Sequence, residues 1–338
     1  MQNNPTNDGH ISLKEAAERY GVQHDRLRRA AYEGRLLGNR EGQHWIVQPS
    51  EVERFIRDNG RAPVIAARPR REGIAAARVI ALAIPKGGTG KTTTTLNLGV
   101  ALAEVGQRVL LIDCDPGAGL TTALRREPQR MDATLGGAIA RYIADYSLEL
   151  DRAVSATEEG IDLVPADTRL STIEDQLRTV FDPQRVLSKL IAPLRTGYDV
   201  ILIDTMPTLG LLVQNALVAA DEVLIPLQAQ AMATESAKLL LKQIIGVRRS
   251  EANTRLKVAG FLFNQVTPAE MNQREQMAYV RRSFGAEYPV LHTTIEDRAV
   301  VRESQMQVVR QSLFRYRPSD PATNAYRALA QEILHGST

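Results

Sequence analysis

The chain has 338 residues, 43% hydrophobic and 24% charged, which suits a soluble globular protein with a large core and more than one domain. Its net charge is +3 and its pI is near 9.0, so charge balance alone does not select nucleic acid as a partner. No apolar run approaches the roughly 20 residues that cross a bilayer, and the opening "MQNNPTNDGH" has no signal-peptide pattern, so a cytosolic protein is expected. The single Cys114 excludes an internal disulfide framework and an all-cysteine metal site, and the five histidines form no pair at ligand spacing.

Residues 1–10 are polar and are expected to be disordered; residues 11–60 carry short helical signals around one aromatic strand. Ser12 and Glu15 form a capping-box pattern, followed by a helix with Leu13, Ala16 and Tyr20 on one face. Gly21 turns the chain into a second helix over residues 25–32, which carries Arg26, Arg28 and Arg29. A hairpin is expected around Glu41-Gly42, with Trp45, Ile46 and Val47 in its second strand. Ser50 and Glu53 form a second capping-box pattern before the last helix. Helix, glycine turn, basic helix and hairpin together resemble an excisionase/MerR-type winged helix-turn-helix. The resemblance implies a second helix in a major groove, base contacts from His24, Arg26 or Arg29, and a wing that touches the backbone through Arg40. A small interaction or dimerisation module of the same shape is the alternative. Residues 61–78, with five arginines against one glutamate, read as an exposed linker.

From residue 79 to 338 the texture changes to apolar runs between amphipathic segments. "RVIALAI", "QRVLLID", "GIDLVPA", "YDVILIDT", "DEVLIPLQ" and "LKVAGFLFN" are nearly continuous in Val, Ile and Leu, as strands buried on both faces are. Right-handed crossovers between them predict an α/β fold, a doubly wound and mostly parallel sheet.

The first of these strands runs into "AIPKGGTGKTTTT", Ala83 to Thr95, and then into a helix over Lys91–Glu104 that Gly106 stops. Strand, glycine loop and helix N-terminus are the setting of a phosphate-binding loop. Gly87, Gly88 and Gly90 permit a tight backbone, and the N–H groups from Gly87 through Thr89 to Thr93 are placed to meet phosphate oxygens. Lys91 is expected to bridge the β and γ phosphates, and the Thr92 hydroxyl to bind Mg²⁺. The usual first glycine is absent, and an extra lysine, Lys86, follows Pro85. "KGGTGKTTTTLNLG" resembles the deviant Walker A motif of the ParA/MinD family of ATPases, and the likeness extends from Val79 to about Leu334. It implies that Lys86 is the signature lysine, catalytic together with Lys91, and reaches the nucleotide held by the partner of a sandwich dimer. Ile84-Pro85 departs from the Asn-Gln usual in that family.

"VLLIDCDPGAG" delivers two aspartates to the C-terminal end of a strand, where open α/β sheets place ligands. By resemblance to the family's D-x-D-P, Asp115 positions the attacking water near the metal and Asp113 is a supporting hydrogen-bond acceptor. "YDVILIDTMPTLG" resembles the Walker B segment, so Asp204 is expected to hold Mg²⁺ through a water. Pro226 resembles the proline that borders the nucleotide in relatives. Asn264 matches either an adenine contact or a simple strand-end cap. The expected ligands are ATP and Mg²⁺, and the expected chemistry is slow hydrolysis.

The C-terminal third carries a basic helix, "EMNQREQMAYVRRSFG", and a tail that resembles the ParA tail as far as "YRALAQEIL". The resemblance implies DNA binding without sequence preference through residues such as Arg281, Arg282, Arg298 and Arg302, with Arg310 and Arg315 as further candidates. It also implies a ParB-like centromere-binding partner that stimulates hydrolysis, and a nucleoid-associated place in the cytoplasm. The last helix carries Tyr326, Leu329, Ala330 and Ile333 on one face and a single cation, Arg327, so core packing fits it better than a membrane anchor. Cys114 alone cannot share a cluster across a dimer, which removes an electron-transfer reading. Two readings stand: a partition ATPase with an added DNA-binding module that represses its own operon, or an ATP-switched transcriptional regulator.

Overall fold

The computed structural model describes residues 10–20, 24–32, 36–41, 44–58, 76–131, 133–230 and 233–335. These fall into two compact units, one ending by Asp58 and one beginning at Ala76.

In the first unit β1 (Ile11–Ser12) leads directly into α1 (Leu13–Tyr20), whose start is capped as expected: the Ser12 hydroxyl accepts from the Glu15 N–H at 3.1 Å. Helix α2 (His24–Tyr32) is followed by a hairpin of β2 (Gly38–Glu41) and β3 (His44–Val47), and β1 pairs with β3 on its other side. Leu13, Ala16, Leu27, Ala30, Leu36, Val47, Val52 and Phe55 close a small core of their own. The last helix, α3 (Pro49–Asp58), begins two residues earlier than the second capping box predicts. Pro49 takes the first helical position, where its missing N–H costs nothing, and the Gln48 carbonyl accepts from the N–H groups of Glu51 and Val52. Ser50 therefore sits inside the helix. Gly21 and Gly42, the two turn residues named above, lie outside the described residues, as do residues 1–9 and 61–75 of the expected tail and linker.

The second unit opens on β4 (Arg78–Leu82), so Arg78 belongs to the sheet rather than to the linker. Then follow α4 (Lys91–Glu104), β5 (Val109–Cys114), α5 (Gly119–Ala123), α6 (Leu135–Asp145), β6 (Ser155–Ala156), β7 (Asp162–Val164), α7 (Leu170–Leu177) and α8 (Val186–Ile191). The chain continues through β8 (Val200–Thr205), α9 (Leu211–Ala219), β9 (Glu222–Gln228), α10 (Ala233–Arg249), β10 (Lys257–Val266) and α11 (Met271–Phe284). It ends in β11 (Val290–Glu296), α12 (Ala299–Ser304), α13 (Leu313–Tyr316) and α14 (Pro321–His335).

The strands form one eight-stranded sheet in the order β11-β10-β9-β4-β8-β5-β7-β6, parallel throughout except for the short edge strand β6. Alternation along β4 shows why the apolar runs are continuous. Val79 and Ala81 enter the core under α6 to α11, while Ile80 and Leu82 enter the core under α4 and α14. Tyr326, Leu329, Ala330 and Ile333 are buried against α4, so the last helix packs the core as its sequence predicts. No described helix is long and apolar enough to cross a membrane.

Candidate nucleotide site

The register of the central strands assembles the site. Leu82 of β4 lies opposite Asp204 of β8, and Asp204 lies opposite Asp113 of β5, so loop and carboxylates leave the sheet at one level. They do so at the carboxyl ends of the strands, where a doubly wound sheet opens.

The loop is shaped before any ligand arrives. Ile84 is buried and its carbonyl accepts from the Lys86 N–H at 2.8 Å, closing a three-residue γ-turn around Pro85. The proline ring suits the φ of that central position and supplies no N–H that would need a partner. Gly88 and Gly90 take φ of 73° and 82°. A Cβ on Gly90 would collide with the Asn264 amide, so glycine is required there twice over. Nothing lies within 4 Å of where a Cβ on Gly87 or Gly88 would project, which leaves space over the loop.

Side chains from β9 and β10 grip the loop from below. The buried Asn264 donates to the Thr89 carbonyl at 2.9 Å, which places this amide under the phosphate loop. Gln228 and Gln265 both donate to the Gly88 carbonyl, at 3.1 and 3.0 Å, and bond to each other. Pro226 lies buried within β9; β4 has stopped pairing at Leu224, so its missing N–H breaks no ladder bond there. Contact with the loop comes two residues later, from Gln228. Neither glutamine carries a signal in the sequence beyond its place at a strand end.

The two lysines have different surroundings. Lys91 is only 7% exposed, and its ammonium donates to the carbonyls of Lys86 at 3.0 Å and Ile84 at 3.3 Å. Burial lowers its pKa, while the carboxylates of Asp204 and Asp115 work in the opposite direction. Lys86 points away from this cradle and donates to Gln230 Oε1 at 2.9 Å.

The carboxylates divide into one spent group and two available ones. Asp113 is buried and receives the Thr121 N–H at 2.8 Å and hydroxyl at 2.7 Å, so it anchors α5. Burial raises its pKa against those hydrogen bonds. Asp204 is also buried; Thr95 Oγ1 stands 3.3 Å from its Oδ1, and its Oδ2 has no hydrogen-bond partner. Burial first, then the neighbouring Asp113, push its pKa up to about 8, against Thr92 and Lys91. Asp115 is half-buried and accepts the Gly117 N–H at 2.8 Å through one carboxylate oxygen. Cys114, between the two, is fully buried with its thiol pKa pushed up, which makes it inert. An orphaned carboxylate oxygen on Asp204, a buried unpartnered Thr89 hydroxyl and Thr92 beside them fit a divalent cation with its phosphates. Glu174 of α7 caps the start of α9 by accepting the Leu211 N–H, which steadies the turn after Asp204.

The remaining candidates are placed elsewhere. Arg281 donates to the Leu291 carbonyl at 3.3 Å and stacks over Phe263 at 5.5 Å. Arg282 is exposed on α11. Arg298 bonds Asp320 at 3.0 Å and Glu296 at 3.5 Å, and Arg302 pairs with Asp297. In the other unit His24 and Arg40 are exposed; the side chains of Arg26 and Arg29 lie outside the described residues.

Comparisons with known proteins agree with this geometry. A family model described as an AAA domain matches residues 77–258. The chain is 34% identical to the chromosome partitioning protein ParA of Caulobacter vibrioides over 76% of its length and 94% of the relative's. It is 31% identical to the sporulation initiation inhibitor protein Soj of Bacillus subtilis, over 76% of this chain and 98% of that one. Among solved structures, the cobyrinic acid a,c-diamide synthase of Mycobacterium smegmatis with bound ATP analogue and magnesium matches with a TM-score of 0.65 and 30% identity, over 76% of this chain and 94% of that one. On these matches the chain belongs to the ParA family of P-loop ATPases.

Proposed function

We propose that this chain binds ATP with Mg²⁺, dimerises face to face around two nucleotides, and uses the dimer to hold DNA for partition. The observation that carries the reading is the separation of the two lysines. Lys91 is built into the phosphate cradle, whereas Lys86 serves that cradle only through its carbonyl and its ammonium bonds Gln230 instead. A cation in that position is available to a second copy of the site. Two facing triphosphates concentrate negative charge, and a lysine from each subunit offsets it only when both γ-phosphates are present.

The residues in hand account for slow hydrolysis by positioning and electrostatics. Backbone N–H groups of Gly87 to Thr93 and the Lys91 ammonium hold the phosphates, and Thr92 with Asp204 holds the cation. Magnesium, when bound, neutralises charge on the phosphate oxygens. Asp115, on the turn after β5, orients the water. A ParB-like partner stimulates the reaction, and the first unit binds operator DNA to repress its own operon.

Light scattering tests the dimer. The wild-type chain should double in mass with ATP and Mg²⁺ and stay monomeric with ADP, while Lys86→Ala should remain monomeric with both. A Lys86→Ala chain that dimerises as wild type does would remove the reading. Asp115→Ala should keep the ATP dimer but lose hydrolysis by about 10²-fold or more; normal turnover would assign the water to another residue. The alternative, an ATP-switched regulator without a partition role, is favoured by the presence of the first unit. A footprint on its upstream DNA with and without ATP separates the two: protection confined to one site supports the regulator.

A further inference from the structure

We propose a second phosphate site in the ATPase unit, which receives a backbone phosphate of DNA in a cavity between α5 and the loop before α13. It rests on the DNA-holding reading above and names a place for it. The cavity has a volume of about 50 Å³ and is lined by Arg125, Arg126, Arg310 and Arg315, with Glu158 and Glu159. Since about 10–15 Å³ on this measure admits one water, it has room for a tetrahedral phosphate group.

The donors in this cavity outnumber their acceptors. Glu159 accepts the Ser312 N–H at 3.0 Å and hydroxyl at 2.6 Å, and Glu158 accepts from Arg315 at 2.7 Å. Each carboxylate thus already holds a donor of this chain. Arg126 donates through Nη2 to the Ala156 carbonyl at 2.5 Å, but its Nε–H is buried with no partner. No hydrogen bond or ion pair joins the Arg310 guanidinium to another described residue. An unpartnered buried N–H is costly, and an anion with several oxygens satisfies guanidiniums that arrive from different directions. A tetrahedral phosphate has that geometry. The rim favours a polymer over a small metabolite: Glu158 and Arg315 are exposed there, so the cavity opens on the surface.

Both walls are tied to the nucleotide site. Arg125, at φ 56° just past α5, donates to the carbonyls of Val309 at 2.8 Å and Arg310 at 3.0 Å. Four residues earlier, Thr121 is the residue held by Asp113. On the other wall the Leu313 N–H donates to Asn97 of α4, the helix that begins at Lys91, at 2.8 Å. Movement of either helix on ATP binding changes the spacing of the arginines, so the grip on DNA depends on nucleotide.

The test uses the full chain with a non-hydrolysable ATP analogue and Mg²⁺, a random-sequence duplex and fluorescence anisotropy across a KCl series. Arg310→Gln should weaken binding about tenfold and lower the slope of log K against log[KCl] by about 1, with hydrolysis of ATP in the absence of DNA unchanged. Arg126→Gln should act in the same direction, and Arg310→Gln keeps the test decisive if the Arg126 variant folds poorly. An unchanged slope in Arg310→Gln overturns the proposal while leaving the DNA-holding reading intact; a wild-type chain with no analogue-dependent binding overturns that reading itself and with it the DNA assignment. A second arm titrates inorganic phosphate into the ADP-saturated chain and follows hydrogen exchange of residues 305–313. Protection there by free phosphate without any DNA effect reassigns the cavity to a small phosphorylated ligand and overturns the proposal.

Discussion

Lys91→Ala should lower ATP affinity by about 10²–10³-fold, because removing one partner of a buried charge pair costs about 3–5 kcal/mol. Lys91 is 7% exposed and its ammonium is oriented by two backbone carbonyls; a water in its place could donate to those carbonyls but would bring no charge to the phosphates. The empty protein should tolerate the change well. Burial already works against the charged form of Lys91, and its removal relieves that cost. Isothermal titration of Mg-ATP, set beside a melting curve of the nucleotide-free chain, checks both halves. Weak binding with an unchanged melting temperature is the expected pair of results. Weak binding with early unfolding would instead make Lys91 a structural post.

The second large effect is on pH. Asp204 has its pKa raised from the ordinary carboxylate range to about 8 by burial and by Asp113. A carboxyl whose folded pKa is raised binds more protons in the folded than in the unfolded state. Its contribution is complete below the unfolded pKa of about 4 and is lost as pH rises through about 8. The nucleotide-free protein should therefore lose stability from pH 5 to pH 9, on the order of 3–5 kcal/mol from this group, and Asp204→Asn should flatten the profile. Melting temperatures across that range measure it. Mg²⁺ has the opposite pH dependence, because it must displace the proton: Mg-ATP affinity should rise over the same interval and should be weak at every pH in Asp204→Asn. A stability profile of the same slope in both proteins would place the titrating group elsewhere.

What was legible in the chain follows from periodicity and from backbone chemistry. Continuous Val, Ile and Leu runs announce strands covered on both faces, and β4, β5, β8, β9 and β10 appear where those runs lie. β11 was not among the expected strands: "VLHTTIE" is an edge strand with exposed His292 and half-buried threonines, so its apolar signal is diluted. The phosphate loop and its carboxylates were readable because glycine, lysine and aspartate have few other reasons to cluster at strand ends. The supports beneath the loop were not. Gln228, Gln265 and Asn264 act through single carbonyls brought close by the order of β4, β9 and β10 in the sheet. Such contacts depend on three-dimensional register, to which residue type gives no clue. For the same reason Arg298 and Arg302 read as free cations in the sequence but meet carboxylates of their own chain in the fold.

The turn at Ile84-Pro85 has a thermodynamic consequence for ligand capture. A ring-locked residue, a closing hydrogen bond and three supporting amides leave this loop little freedom to lose. Ordering entropy is thus charged to folding, and the incoming nucleotide meets a rigid receptor. Calorimetry should register that as binding with a small entropic penalty, and Pro85→Gln should enlarge the penalty while leaving the contacts in place.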